Sequence, residues 1–210
     1  EFFMIRLAGL KQQVAAGVRE SGPDGLTPAE QLTAVRRVAN EIKHEAHRVW
    51  RDRLVPALQA EGIRVLDYDA LPIEARIGLR TYFETAVFPV LTPLAVDPSR
   101  PFPHISNLSV NLAVVIRDPA GHEHFARVKV PGTLPQLVPA PPSSGSPGFS
   151  FVPLEQLVAA NLDALFPGEQ IVEVHPFRVT RNADLVIQEL EAGDLLETIE
   201  ESVRQRQFGF

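Results

Sequence analysis

The 210-residue chain contains no cysteine, which excludes disulfides and thiolate metal sites and fits a reducing cytoplasm. It has no uncharged apolar run near the ~20 residues that a membrane-spanning helix requires. The apolar stretch at 2–10 is too short and too interrupted to read as a signal peptide. Basic charge is also scarce. The net charge is −6, which argues against a broad nucleic-acid surface. No Gly-x-x-x-x-Gly-Lys-Ser/Thr loop, Gly-x-Gly-x-x-Gly turn or Gly-x-Ser-x-Gly elbow occurs, so the common phosphate cradles and the hydrolase elbow are excluded. No internal repeat is visible.

What is present is a chain that is 45% hydrophobic, ample for a core, with a length that suits one large domain or two small ones. Phe3, Leu7, Leu10, Val14 and Val18 recur at helical spacing. Thr27-Pro28 with Glu30 reads as a capping box with proline at the first helical position. Leu32, Val35, Ala39, Ile42, Ala46 and Val49 then form a narrow seam of the kind that pairs with other helices. Pro56 is expected to bend or restart this helix, and Gly62 to cap it. Residues 1–62 therefore read as two or three bundled helices. A short strand at 63–66 and a helix at 72–88 follow, with Ile73, Ile77, Tyr82 or Phe83, and Val87 expected toward the core.

From Pro89 to Pro103 the prolines predict an extended path without regular structure. Leu108 to Ile116 alternate cleanly, Asp118-Pro119-Ala120-Gly121 makes a hairpin turn, and Phe125 to Val130 return. Residues 131–148 read as a surface loop, 149–152 as a short edge strand and 154–165 as a helix. Strands through 187 and a last helix with Leu195, Leu196, Ile199 and Val203 complete the expectation. The fold class is α+β: a helical bundle at 1–62, then an antiparallel sheet packed with helices at 63–210.

Two sets of side chains carry chemistry of interest. His44 and His47 lie on the long helix near Glu41 and Glu45, a spacing that metal sites use but that a solvated helix face also produces; the solvated face is the expectation. His122 and His124 flank the hairpin, and His104 sits between prolines without an identifiable partner. Of the 20 cationic residues only Lys11, Lys43 and Lys129 are lysines. Arginine suits phosphate because its planar fork donates two parallel hydrogen bonds. Arg127 and Lys129 share one strand face, and Arg178 joins them if the two strands are neighbours. The alternative is ordinary surface charge.

The stretch His175-Pro176-Phe177-Arg178-Val179-Thr180-Arg181-Asn182-Ala183-Asp184 organises the rest. Its apolar positions change parity, so the strand needs a bulge, for which Pro176 is the natural place. Residues 177–184 resemble a signature of the bacterial polyphosphate kinases. So do Glu1 to Lys11, Val87 to Pro98 and Pro101 to Ser109, in the family's order.

The resemblance implies a front half of such a kinase. Residues 1–62 would be most of the N-terminal helical domain, and 63–210 the head or middle domain. The parent would transfer the terminal phosphate of ATP reversibly to polyphosphate with magnesium. Its phosphorylated histidine and most ATP and magnesium contacts would lie in C-terminal domains absent from this chain. The part in hand would supply adenine-side cover and a dimer surface. No catalytic or metal residue is therefore assigned among these 210. Arg178, Arg181, Arg127 and Lys129 are the candidate polyphosphate or ATP contacts. The chain's uncapped opening and its stop at Phe208-Gly209-Phe210 fit a piece of a longer protein. The rival reading is a free-standing helical-plus-sheet interaction module without transferase activity.

Overall fold

A computed structural model describes residues 1–96, 105–141 and 148–182. Internal contacts divide the chain into two units. The described residues of the first are 1–51, 105–108 and 179–182; those of the second are 52–96, 109–141 and 148–178. The sequence-expected strand through 187 and the last helix lie outside the described residues.

In the first unit α1 (Arg6–Ala15) pairs with α2 (Pro28–Val49). α2 begins as expected: Glu30 N–H donates to the Thr27 hydroxyl and Thr27 N–H to the Glu30 carboxylate at 2.8 Å. Such a cap is worth about 1 kcal/mol. The Thr27 hydrogen bonds also hold the Glu30 carboxyl below its ordinary range. Leu10 is the buried anchor of α1, and Arg6 reaches Gln31 of α2 at 2.8 Å. The rest of the seam is open, and Phe2, Phe3, Ala34, Val35, Val38, Ala39 and Ile42 line an apolar groove. The residues at 105–108 and 179–182 are clasped together. Leu108 N–H donates to Val179 O (2.8 Å), and Arg181 N–H to Asn107 Oδ1 (2.9 Å).

Pro56 does not stop the helix. It has no N–H to return to Asp52, and its ring crowds that carbonyl. The turn Trp50–Leu54 widens to a π-helix, and α3 (Val55–Ala60) continues beyond it.

The second unit packs two sheets and two helices about one core. β1 (Ile63–Val65), β6 (Phe149–Pro153) and β5 (Leu137–Ala140) form a three-stranded sheet in the order β1-β6-β5, parallel on one side and antiparallel on the other. β2 (Pro93–Val96), β4 (Glu123–Lys129), β3 (Val110–Arg117) and β7 (Gln170–Arg178) form an antiparallel sheet in the order β2-β4-β3-β7. The fold is α+β. Leu112, Val114 and Ile116 of β3 and Ala126 and Val128 of β4 are buried on one face. Leu79, Phe83 and Val87, and Leu154, Leu157 and Val158 of α5 (Leu154–Ala159), belong to the same core. Each large apolar side chain buried here contributes about 1.5–3 kcal/mol.

Several expectations are corrected. α4 (Ile73–Tyr82), continued by a π turn to Val87, buries Phe83 and Val87 as expected, but its first turns are rotated from the expected stripe: Ile73 is 69% and Ile77 63% exposed, whereas Ala75 and Leu79 are buried. Both stripes have helical spacing, and the sheet beneath selects the second. Pro93 to Val96, expected without regular structure, form β2, where Pro93 occupies the first position of an edge strand, as its missing donor requires. Within the expected loop, Leu137 to Ala140 form β5, with Val138 and Ala140 buried and Pro139 exposed on the sheet edge. β6 is the central strand of its sheet, not an edge strand. The helix at 154 stops after Ala159 and resumes as a 3-10 turn, Leu162–Ala164. Asn161 intervenes with its side-chain amide donating to Leu157 O at 2.7 Å. Arg80 then ties α4 to this turn: its guanidinium donates to Asn161 Oδ1 (3.0 Å), Asp163 Oδ1 (2.9 Å) and Glu84 Oε1 (2.8 Å).

The pairing of β7 with β3 is unbroken from Glu173 to Arg178, so there is no bulge at Pro176 and the expected one is not found; β7 carries a different bulge, nearer its start. The register to β3 slips between Val115 and Ile116, which leaves Val172 as the extra residue. This slip turns both Ile171 and Val174 toward the core. Pro176 pairs in register with Leu112. Because Val130 N–H donates to Val110 O, the even residues of β3 bond to β4 and the odd ones to β7. Pro176 therefore presents its donorless nitrogen to the open edge of the sheet.

Candidate functional site

The face of the four-stranded sheet opposite the core carries the candidate cations. Leu94, Arg127, Ala113 and His175 form one cross-strand row, and Lys129, Asn111 and Phe177 the next. Arg127 and Lys129 thus share a face as expected, at positions i and i+2 of β4. Their surroundings differ. Lys129 is exposed, whereas Arg127 is only 7% exposed, and burial pushes its guanidinium down from the ordinary arginine range.

Arg178 does not join them. β7 neighbours β3 rather than β4, and Arg178 pairs with Val110, on the side of the sheet that holds Leu112 and Val114. Sequence parity alone places Arg178 correctly relative to Phe177, but which strand lies beside β7 is a long-range matter. Arg181 lies in the first unit, half-buried, where its Nε donates to Ile105 O at 2.6 Å and its main-chain N–H to Asn107. It acts as a clasp on its neighbours, a use that its sequence surroundings did not signal.

The residue that sequence reasoning passed over is Asn111. Its place in a polar/apolar alternation reads as solvated, yet it is fully buried. Its amide donates to Ser109 O (2.9 Å) and Ser109 Oγ (3.0 Å). Its Oδ1 has no hydrogen-bond partner among the described residues, and Lys129 is its cross-strand neighbour. A non-hydrogen-bonded antiparallel pair such as this brings side chains closest.

The described histidines are exposed. His44 and His47 are exposed on α2, where Glu41 pairs with Arg37 (2.8 Å) and Glu45 with Arg48. His122 Nδ1 and His124 Nε2 both meet Asp118 Oδ2, at 3.3 and 3.2 Å, beneath the hairpin turn. The His122 backbone N–H, then the His124 ring, hold the Asp118 carboxyl down at about 2. His104 lies outside the described residues. Among those described, no group of three His, Asp or Glu side chains is arranged to hold a metal ion, and no helix is long and apolar enough to cross a membrane.

Residues 1–66 match the model of the polyphosphate kinase N-terminal domain, and residues 74–210 that of the polyphosphate kinase middle domain. This chain belongs to the polyphosphate kinase family. Relatives named polyphosphate kinase include one from Thermosynechococcus vestitus, 51% identical over the whole of this chain and 29% of its own length. Another, from Synechocystis, is 50% identical over all of this chain and 30% of its own. The chain therefore spans about a third or less of the length of these polyphosphate kinases. The crystal structure of polyphosphate kinase from Porphyromonas gingivalis shares the fold, with a TM-score of 0.73 over 98% of this chain and 32% of that one, at 23% identity.

Proposed function

We propose that these 210 residues are the non-catalytic front part of a polyphosphate kinase that transfers the terminal phosphate of ATP reversibly onto polyphosphate. The observation that carries this reading is the match of two successive family models, N-terminal then middle domain, over nearly the whole chain. The same match disfavours the rival, a free-standing interaction module. In this reading the helical part contributes cover on the adenine side of the nucleotide and the sheet part a surface for homodimer formation, in the cytoplasm. Phosphorylation of the enzyme and ATP binding fall mainly to the remaining two thirds of the parent. The magnesium implied by the family finds no fitting group among the described residues.

For polyphosphate the face bearing Lys129, Asn111 and Arg127 is the best-supported surface of the four-stranded sheet. An exposed ammonium beside a guanidinium attracts a linear polyanion, with Lys129 as the point charge that meets it. Arg178, on the other side of the sheet, is the internal control. In the full-length enzyme Lys129→Ala raises the KM for long-chain polyphosphate roughly tenfold, the loss of one charged hydrogen bond, while Arg178→Ala leaves it unchanged. Equal effects of the two would remove this face from the reading. Residues 1–210 alone give no ATP-dependent polyphosphate synthesis, and synthesis by them would overturn the larger proposal.

A further inference from the structure

The first unit carries more apolar surface than its two helices cover. Phe2, Phe3, Val38 and Ile42 are exposed, Ile42 at 64%, and all four line the groove between the chain start and α2. The rings of Phe2 and Phe3 stand edge to face at 5.6 Å on one side of it. Along α2 the groove runs from Ala34 to Ile42, about 12 Å at the helical rise. Arg36 and Lys43, each one position on from a groove-lining residue, are exposed and make no ion pair among the described residues. A contiguous apolar patch rimmed by charge is a contact surface.

The described chain arrives at Asn182 beside this groove. Arg181 N–H donates to Asn107 Oδ1, and the Asn107 amide donates in turn to the Met4 sulfur at 3.9 Å, next to Phe3. Further along the sequence, outside the described residues, Leu195, Leu196, Ile199 and Val203 recur at helical spacing. That stripe is about 12 Å long as a helix, the length of the groove. Glu200 borders it, and Asp194, Glu197 and Glu201 make the stretch acidic up to Arg204.

We propose that residues 194–204 of this same chain pack as a helix into the groove, with Leu195, Ile199 and Val203 against Val35, Val38 and Ile42. Residues 183–194 reach roughly 40 Å when extended, enough to enter the groove in either direction. The acidic residues complement Arg36 and Lys43. A tethered segment also meets the groove at about millimolar effective concentration, so a second copy of the chain competes poorly for it. This inference does not depend on the polyphosphate reading, since it rests on one unit's surface and the sequence that follows Asn182.

The absence of cysteine from these 210 residues simplifies the test. Under mild oxidation, Ile42→Cys with Ile199→Cys is expected to close an intramolecular disulfide roughly tenfold faster than Ile42→Cys with Glu197→Cys, because proximity sets the rate and residue 197 lies on the other face of the helix. Non-reducing electrophoresis separates the cross-linked monomer from a cross-linked dimer. In the same chain without cysteines, Ile199→Asp is expected to raise the fluorescence of an apolar dye, and adding Ile42→Asp to remove that gain. Equal rates for the two cysteine pairs overturn the proposal, as does dye fluorescence that Ile199→Asp leaves unchanged. A disulfide that forms only between two copies also overturns it and assigns the groove to a second chain.

Discussion

Among the described glycines, Gly148 is the one where a single methyl group should do the most damage. Its φ is +108°, and a Cβ built there lies 2.1 Å from Gly62 O and 2.9 Å from Gly62 C. Real Cβ atoms essentially never approach within 3.0 Å, and both opposing atoms are main chain, so no side chain can turn aside. To admit alanine, the start of β6 must move away from β1 by roughly 1 Å. That breaks the Phe149 N–H···O=C Gly62 hydrogen bond of 2.8 Å just where the parallel pairing begins at Ile63↔Phe149. The conformational strain costs about 1–3 kcal/mol and the lost hydrogen bond about 1 kcal/mol. Gly148→Ala should therefore destabilise by about 3 kcal/mol. Gly121 separates the terms: its φ is +89° but nothing lies within 4 Å of a built Cβ, so Gly121→Ala should cost only the conformational part, about 1–2 kcal/mol. Urea unfolding followed by circular dichroism, with unchanged m-values, measures both. Equal losses for the two variants would refute the claim that the close approach of Gly62 governs the site.

Arg80→Ala removes three acceptors' shared donor and leaves the buried Asn161 Oδ1 without it. Arg80 is partly exposed, so the expected cost is held to about 1–2 kcal/mol; Arg80→Lys should recover part of it, and no loss in urea unfolding would show the network to be idle. Asp118 predicts an acid limb. Its folded pKa of about 2 lies below the ordinary 3.8, so its contribution is complete above about pH 4 and is lost as pH falls toward 2. His124→Ala should flatten stability against pH in that window. An unchanged slope would show that the carboxylate owes its shift to the turn alone.

The parts of this protein legible in its sequence are those set by neighbours along the chain. The Thr27–Glu30 cap, the helical spacing of α2 and the Asp118–Gly121 turn each depend on a few consecutive residues, and each stands as read. The four resembling blocks likewise identified the family before any fold was in view. The parity change between Val174 and Phe177 misled, because the two side chains lie on opposite faces of an unbroken pairing with β3, and the bulge that β7 does carry, at Val172, precedes both. The same limit explains α4, whose two apolar stripes are equally periodic until a sheet covers one of them. It also explains the parting of Arg178 from Arg127 and Lys129. Local sequence decides which side of a strand a residue occupies, whereas strand order and register arise from contacts far apart in the chain, and only the tertiary structure settles which charges share a face.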